Sequence, residues 1–174
     1  MDTLQKLFED TVKDLYNAEH NFLKAMPKLM KSAESESLKQ AIEAHIEQSK
    51  VHVERLDELA KQMGFKPGGM ACKASQGLVA EAQEHLEEYE TGPVLDAAII
   101  ACAQKNEHYE ICSYRTLITW AHELGLSDAS ALLKKTLEEE EQTDALLGKV
   151  LASSVIKQAK AVETGGHKSK VSVK

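Results

Sequence analysis

Read for spacing alone, the chain is a succession of long apolar stripes. Leu4, Phe8, Leu15, Phe22, Met26 and Leu29 keep the four-then-three rhythm of one helix face over residues 2–32. Pro27 falls inside that run and is expected to kink it or loosen one turn. The segment "SAESES" offers capping residues, and Leu38, Ile42, Val53, Leu56 and Leu59 then mark a second long helix that ends at Gly64. "FKPGG" breaks the pattern, and "CKASQGLVAEAQEHLEEYE" predicts a shorter helix, a crossover or packing element. "TGP" opens a third long helix, with Thr91 as N-cap and Pro93 in its first turn, running through Ile99, Leu117 and Trp120 to Gly125. Ser127 is the expected N-cap of the last one, whose face carries Ala129, Leu133, Leu137, Leu147, Leu151 and Val155. The prediction is all-α: an antiparallel four-helix bundle over residues 1–162 with an additional short helix and a long connection between its hairpins. The segment 163–174, "ETGGHKSKVSVK", has little to bury and is expected to be a disordered tail.

Composition narrows the function classes more than the fold. A chain of 174 residues can bury a core without staples. Its formal net charge of −7 argues against nucleic acid and anionic membranes as partners. No apolar run approaches the ~20 residues of a membrane span, and "MDTLQKLFEDTVKD" has neither the basic start nor the hydrophobic core of an export signal. Cys72, Cys102 and Cys112 lack CxxC spacing and sit in helical text, so they are expected to be reduced and mostly buried, which suits the cytoplasm.

The stripes carry polar intruders, and all of them are potential metal ligands. At about 100° per residue, Glu19 lies well inside the arc of Leu15 and Phe22. Glu107 and Glu110 share a face with Ala103, Tyr114 and Leu117, while Glu140 and Asp144 continue the line of Leu133 and Leu137. His45, Ser49 and His52 run between Ile42 and Leu56, with Gln48 at the edge. Each has a plainer reading when taken alone: a glutamate that reaches water, or a core histidine bonded to a carbonyl. His20, His85, His108, His122 and His167 read as solvent or rim residues, and Glu138 and Glu139 as part of a solvated acidic face. Four helices showing the same intrusion tip the balance, because facing carboxylates without a Lys or Arg among them cannot all stay ionised and unpaired in a core. A bound metal resolves the conflict. Carboxylates with one or two imidazoles suit iron or manganese, with zinc a further candidate.

At these residues the sequence resembles the YciF and YciE type of bacterial ferritin-like stress proteins. The resemblance runs over about residues 3–155 and is carried by "DLYNAEHNFLKAMPKL", "AHIEQSKVHVERL", "MACKASQGLVAEA", "ACAQKNEHYEICSYRTL" and "LLKKTLEEEEQTD". It implies a ferritin-like fold, a homodimer and a centre of two iron or manganese ions related to that of rubrerythrins. By position it implies Glu19, His45, Glu107, Glu110, Glu140 and Asp144 as ligands. One departure stands out. The family pattern His-x-x-Glu-Thr reads here His45, Ile46, Glu47, Gln48, Ser49, and an amide is a poor bridging ligand. The site is then expected to hold a second ion weakly or to recruit His52. Tyr16, Tyr109 and Tyr114 are near enough in sequence to bond a ligand carboxylate, with Gln48 beside them. The implied activity is peroxide or oxygen chemistry in stress protection, with an electron donor supplied by an unidentified partner. The competing reading is a dimeric stress protein whose metal is structural; iron storage would need a large shell, of which the sequence has no sign.

Overall fold

The computed structural model describes residues 2–166, and every regular element among them is helical. Helix α1 (Leu4–Ser32) starts where Thr3 Oγ1 accepts the Lys6 N–H at 3.1 Å. It runs on through Pro27 without a break, the proline ring lying on the exposed side. Ser35 caps α2 (Glu36–Met63) by accepting from Leu38 N–H, and Gly64 closes it in the left-handed conformation at φ 78°, where a side chain would be strained. Helix α3 (Lys73–Glu88) follows the loop, then α4 (Pro93–Glu123) and α5 (Ser127–Val150). A single π-helical turn, Leu151–Val155, passes the chain into α6 (Ile156–Gly166). Beyond Gly166 the expected tail lies outside the described residues.

Two expected caps are corrected. Gly92, not Thr91, occupies the N-cap of α4, where Pro93 needs no donor partner at the first position and no side-chain cap forms. Ser127 is already the first residue of α5, and Leu126 stands at its cap, again without a side-chain bond.

Helices α1, α2, α5 and α4 close a ring in that order, and α3 lies outside across α1 and α4. The buried Asp96 carboxylate accepts the N–H groups of Glu34 and Ser35, both at 2.8 Å, which pins the start of α4 to the α1–α2 turn. The segment holding α3 therefore returns the chain along the length of the bundle. Neighbouring helices in the ring consequently run antiparallel, the arrangement of a ferritin-like bundle with one long crossover.

The core is divided in two. One apolar cluster gathers Leu29, Leu38, Ile42, Ile99 and Leu147 at the Asp96 end. The other gathers Phe8, Leu15, Leu56, Leu117 and Leu133 at the opposite end. Between them the same helices turn polar inward at Glu19, His45, Ser49, His52, Glu107, Glu110, Glu140 and Thr143, all buried.

Candidate metal centre

The polar layer exists because each helix breaks its apolar stripe at the same height. Glu19, His52 and Glu140 are fully buried, Glu110 is 1% exposed, Glu107 2% and His45 6%. Their donor atoms form two groups that share Glu140. In the first, one atom each from His45, Glu107, Glu110 and Glu140 lie within 4.8 Å of one another. In the second, the same holds for Glu19, His52 and Glu140. Ligand atoms about 2.1 Å from one ion stand at most about 4.2 Å apart, so small side-chain rotations would close either group on a cation.

The histidines present opposite nitrogens. His45 Nε2 faces Glu107 Oε1 at 3.2 Å and Glu140 Oε2 at 3.8 Å. Its Nδ1 meets the Thr143 hydroxyl at 3.3 Å. His52 Nδ1 faces Glu140 Oε1 at 2.9 Å and Glu19 Oε1 at 3.6 Å, close enough for charge pairing but outside the alignment of a hydrogen bond. Its Nε2 meets Glu139 Oε2 at 2.8 Å. Tyr114 donates its hydroxyl to Glu19 Oε1 at 2.6 Å.

Several inward oxygens have no hydrogen-bond partner: Glu19 Oε2, Glu107 Oε2, Glu110 Oε1 and both oxygens of Glu140. Buried acceptors are normally satisfied, so the cluster is short of positive charge or donors. Burial first, and then the neighbouring carboxylates, push Glu107 and Glu110 well above the ordinary carboxylate range. Burial alone would lower His52, but Glu140 and Glu19 outweigh it and raise it from 6.5 to about 10. Glu140 is likewise raised by burial, yet His52 and His45 bring it below its ordinary value. Burial and like charge thus favour the protonated forms of Glu107 and Glu110, and the facing carboxylates favour the imidazolium of His52. This donor set fits a divalent cation: oxygen-rich, two imidazoles, and orphaned lone pairs pointing inward.

A cavity of about 20 Å³, room for roughly one water molecule, adjoins the first group. Its lining combines His45, Asn106, Glu107, Glu110 and Thr143 with the apolar Phe22, Met26, Leu29 and Ile42.

The remaining sequence-predicted residues are placed elsewhere. Asp144 accepts from Gln104 Nε2 at 2.9 Å and faces the exposed His108 at 3.5 Å, turned out of both groups. Gln48 is half-buried beside Thr143, its Oε1 3.4 Å from that hydroxyl. Tyr16 reaches Asp57 at 3.4 Å, and Tyr109 donates to Asp14 at 2.6 Å and contacts Cys72 Sγ at 3.1 Å. Neither tyrosine bonds a cluster carboxylate; Tyr114 alone of the three does. Cys72 and Cys102 are buried, but Cys112 is exposed, against expectation. Glu139, read from the pattern as part of a solvated acidic face, is instead partly buried and held by Arg55 through Nη1 at 2.5 Å and Nη2 at 3.0 Å. Sequence reasoning passed over Asn106, buried with Oδ1 unpartnered next to the cavity.

Fold and site together define a ferritin-like helical bundle with a buried carboxylate–histidine cluster between two apolar half-cores. The chain belongs to the DUF892 family, a domain of unknown function, which it matches over residues 3–160. It is 42% identical to Protein YciF of Escherichia coli (strain K12) over 160 residues, 91% of this chain and 96% of that one. The crystal structure of the E. coli stress protein YciF matches at a TM-score of 0.84 and 41% identity, covering 92% of this chain and 99% of that one. YcfI from Rhodopseudomonas palustris matches at a TM-score of 0.82 and 41% identity, covering 84% of this chain and 94% of that one.

Proposed function

We propose that this YciF homologue is a metal-binding stress protein whose buried cluster holds two iron or manganese ions and works on peroxide or oxygen. The observation that carries the reading is the pair of donor groups sharing Glu140, with unpartnered buried oxygens on Glu19, Glu107, Glu110 and Glu140. His45, Glu107, Glu110 and Glu140 would hold one ion, and Glu19, His52 and Glu140 the other. Such ions, when bound, supply electrons to a peroxide or dioxygen co-reactant.

The chain's own residues prepare that chemistry. Glu140 lies between both histidines and is the carboxylate suited to being shared. Tyr114 fixes Glu19 by donating to Oε1, the oxygen that also faces His52, and Thr143 holds the far nitrogen of His45. The apolar wall of Phe22, Met26, Leu29 and Ile42 keeps bulk water from the first group. The protein acts in the cytoplasm as a homodimer and takes its electrons from a separate donor.

A second reading has one observation in its favour: every residue of the two donor groups is buried to 6% exposure or less, as suits a structural metal that never meets a substrate. The two readings part in one experiment. Metal content is measured by plasma mass spectrometry on protein purified without added metal or chelator, alongside a Glu107→Ala, Glu140→Ala variant. Iron or manganese near two per chain, lost in the variant, supports the centre; absence of metal even after anaerobic iron addition rejects it. Oxidation of the iron(II)-loaded protein by hydrogen peroxide, faster than in the variant, selects the catalytic reading. Tight zinc with no redox response selects the structural one.

A further inference from the structure

The two donor groups of the proposed centre are supported differently. His45 meets a neutral hydroxyl, Thr143 Oγ1, on the nitrogen that faces away from the carboxylates. His52 meets a carboxylate, Glu139 Oε2, at 2.8 Å. That carboxylate is itself gripped by both arms of the Arg55 guanidinium, whose Nη1 also donates to Thr136 Oγ1 at 3.1 Å. The imidazole is fully buried, while Glu139 and Arg55 are partly exposed, 30% and 18% at their side chains. A chain of charge thus runs from the α2–α5 surface through Glu139 to His52 and stops at Glu19 and Glu140.

An acceptor on Nε2 keeps the imidazole proton there and leaves the Nδ1 lone pair free for a cation. It also fixes the ring's rotation, since Nε2 and Nδ1 cannot exchange places without breaking the contact. Resting on the metal reading above, we infer that Glu139, clamped by Arg55, is a positioning residue that presents His52 Nδ1 to an ion in the Glu19–His52–Glu140 group. Glu139 touches no ion itself. The second group has fewer donors than the first, so its affinity depends more on this outer support.

The test is a cobalt(II) titration of the full-length metal-free protein, read by visible absorption for stoichiometry, with ¹⁵N imidazole shifts of the diamagnetic zinc(II)-loaded protein reporting the state of His52. Wild type takes two equivalents, with His52 protonated at Nε2 and coordinated through Nδ1. Glu139→Ala keeps the first equivalent at wild-type affinity and loses about 10–100-fold on the second, and its His52 Nε2 signal moves away from the strongly hydrogen-bonded position. Arg55→Met, which leaves the carboxylate in place but unclamped, shows a smaller loss on the second equivalent and guards against a folding defect in the first variant. Two equivalents bound by both variants as tightly as by wild type overturn the inference while leaving the metal centre standing. So does coordination of His52 through Nε2, or a wild-type protein that takes only one ion. Wild type that takes up no cobalt overturns the metal reading and this inference together.

Discussion

Glu19 illustrates how much of the centre rests on single contacts. Its Oε1 accepts from Tyr114 at 2.6 Å in a region closed to water, and its Oε2 has no partner. Tyr114→Phe leaves the shape intact and strands a buried acceptor, so unfolding of the metal-free protein by urea should become easier by about 1–3 kcal/mol. The titrating residues fix the sign of a pH effect. His52 is raised from 6.5 to about 10, so the stability it contributes is fully present below pH 6.5 and is lost as pH rises towards 10. Glu107 and Glu110 are raised above 4.5, so their burial grows more unfavourable as pH climbs past that value. Both trends run the same way. Denaturant midpoints of the metal-free protein should fall from weakly acid to alkaline pH, while Glu140 and Glu139, both lowered, impose the opposite loss below 4.5. Adding metal should flatten or reverse the alkaline decline, since cations replace the protons and bind more tightly as pH rises. At this scale sequence periodicity places Glu19, His45, His52, Glu107, Glu110 and Glu140 on inward faces, and the structure brings them together. Asp144 lies on the same line by periodicity, yet its carboxylate accepts from Gln104 and joins neither donor group. The pattern assigns Glu139 to a solvated face because periodicity describes one helix, whereas Arg55 reaches it from another.

At the scale of elements, the hairpins are legible because long stripes with Gly64 and Gly125 at their ends leave few alternatives. The contact that orients them is not. Asp96 reads as a first-turn acid of α4, yet it caps the backbone of Glu34 and Ser35 in another hairpin. Asp96→Ala removes two charge-assisted bonds and should cost about 3 kcal/mol in thermal or urea unfolding. Asp96→Asn, which retains one acceptor oxygen, should recover part of that. The caps of α4 and α5 were misread for a local reason: "TGP" and "LS" contain the preferred residue types, but Pro93 and the tight turn at Gly125, φ 72°, start each helix one residue away from where those side chains can reach. The π turn at Leu151–Val155 has no signal in the apolar spacing, because Leu147, Leu151 and Val155 keep four-residue steps through it.

For the whole molecule the polar layer sets stability against metal binding. Buried carboxylates with unpartnered oxygens oppose folding, and apolar residues of similar volume would not. Glu110→Met should therefore raise the stability of the metal-free protein by about 1–4 kcal/mol and weaken metal uptake at the first group, both measured on one preparation by calorimetry and metal titration. A gain without loss of metal would remove Glu110 from the centre.

The divided core also bears on the order in which the chain becomes compact. The cluster holding Phe8, Leu56 and Leu117 and the one holding Leu29, Leu38 and Ile99 each draw on α1, α2, α4 and α5, so both ends of the bundle can dry without the middle doing so. The waist, whose carboxylates hold their hydration most strongly, is then the last part to give up its water. Metal capture coincides with that final closure. Amide exchange around Glu107 and Glu140 should accordingly outpace exchange at either end until a cation is added, and then slow to match them.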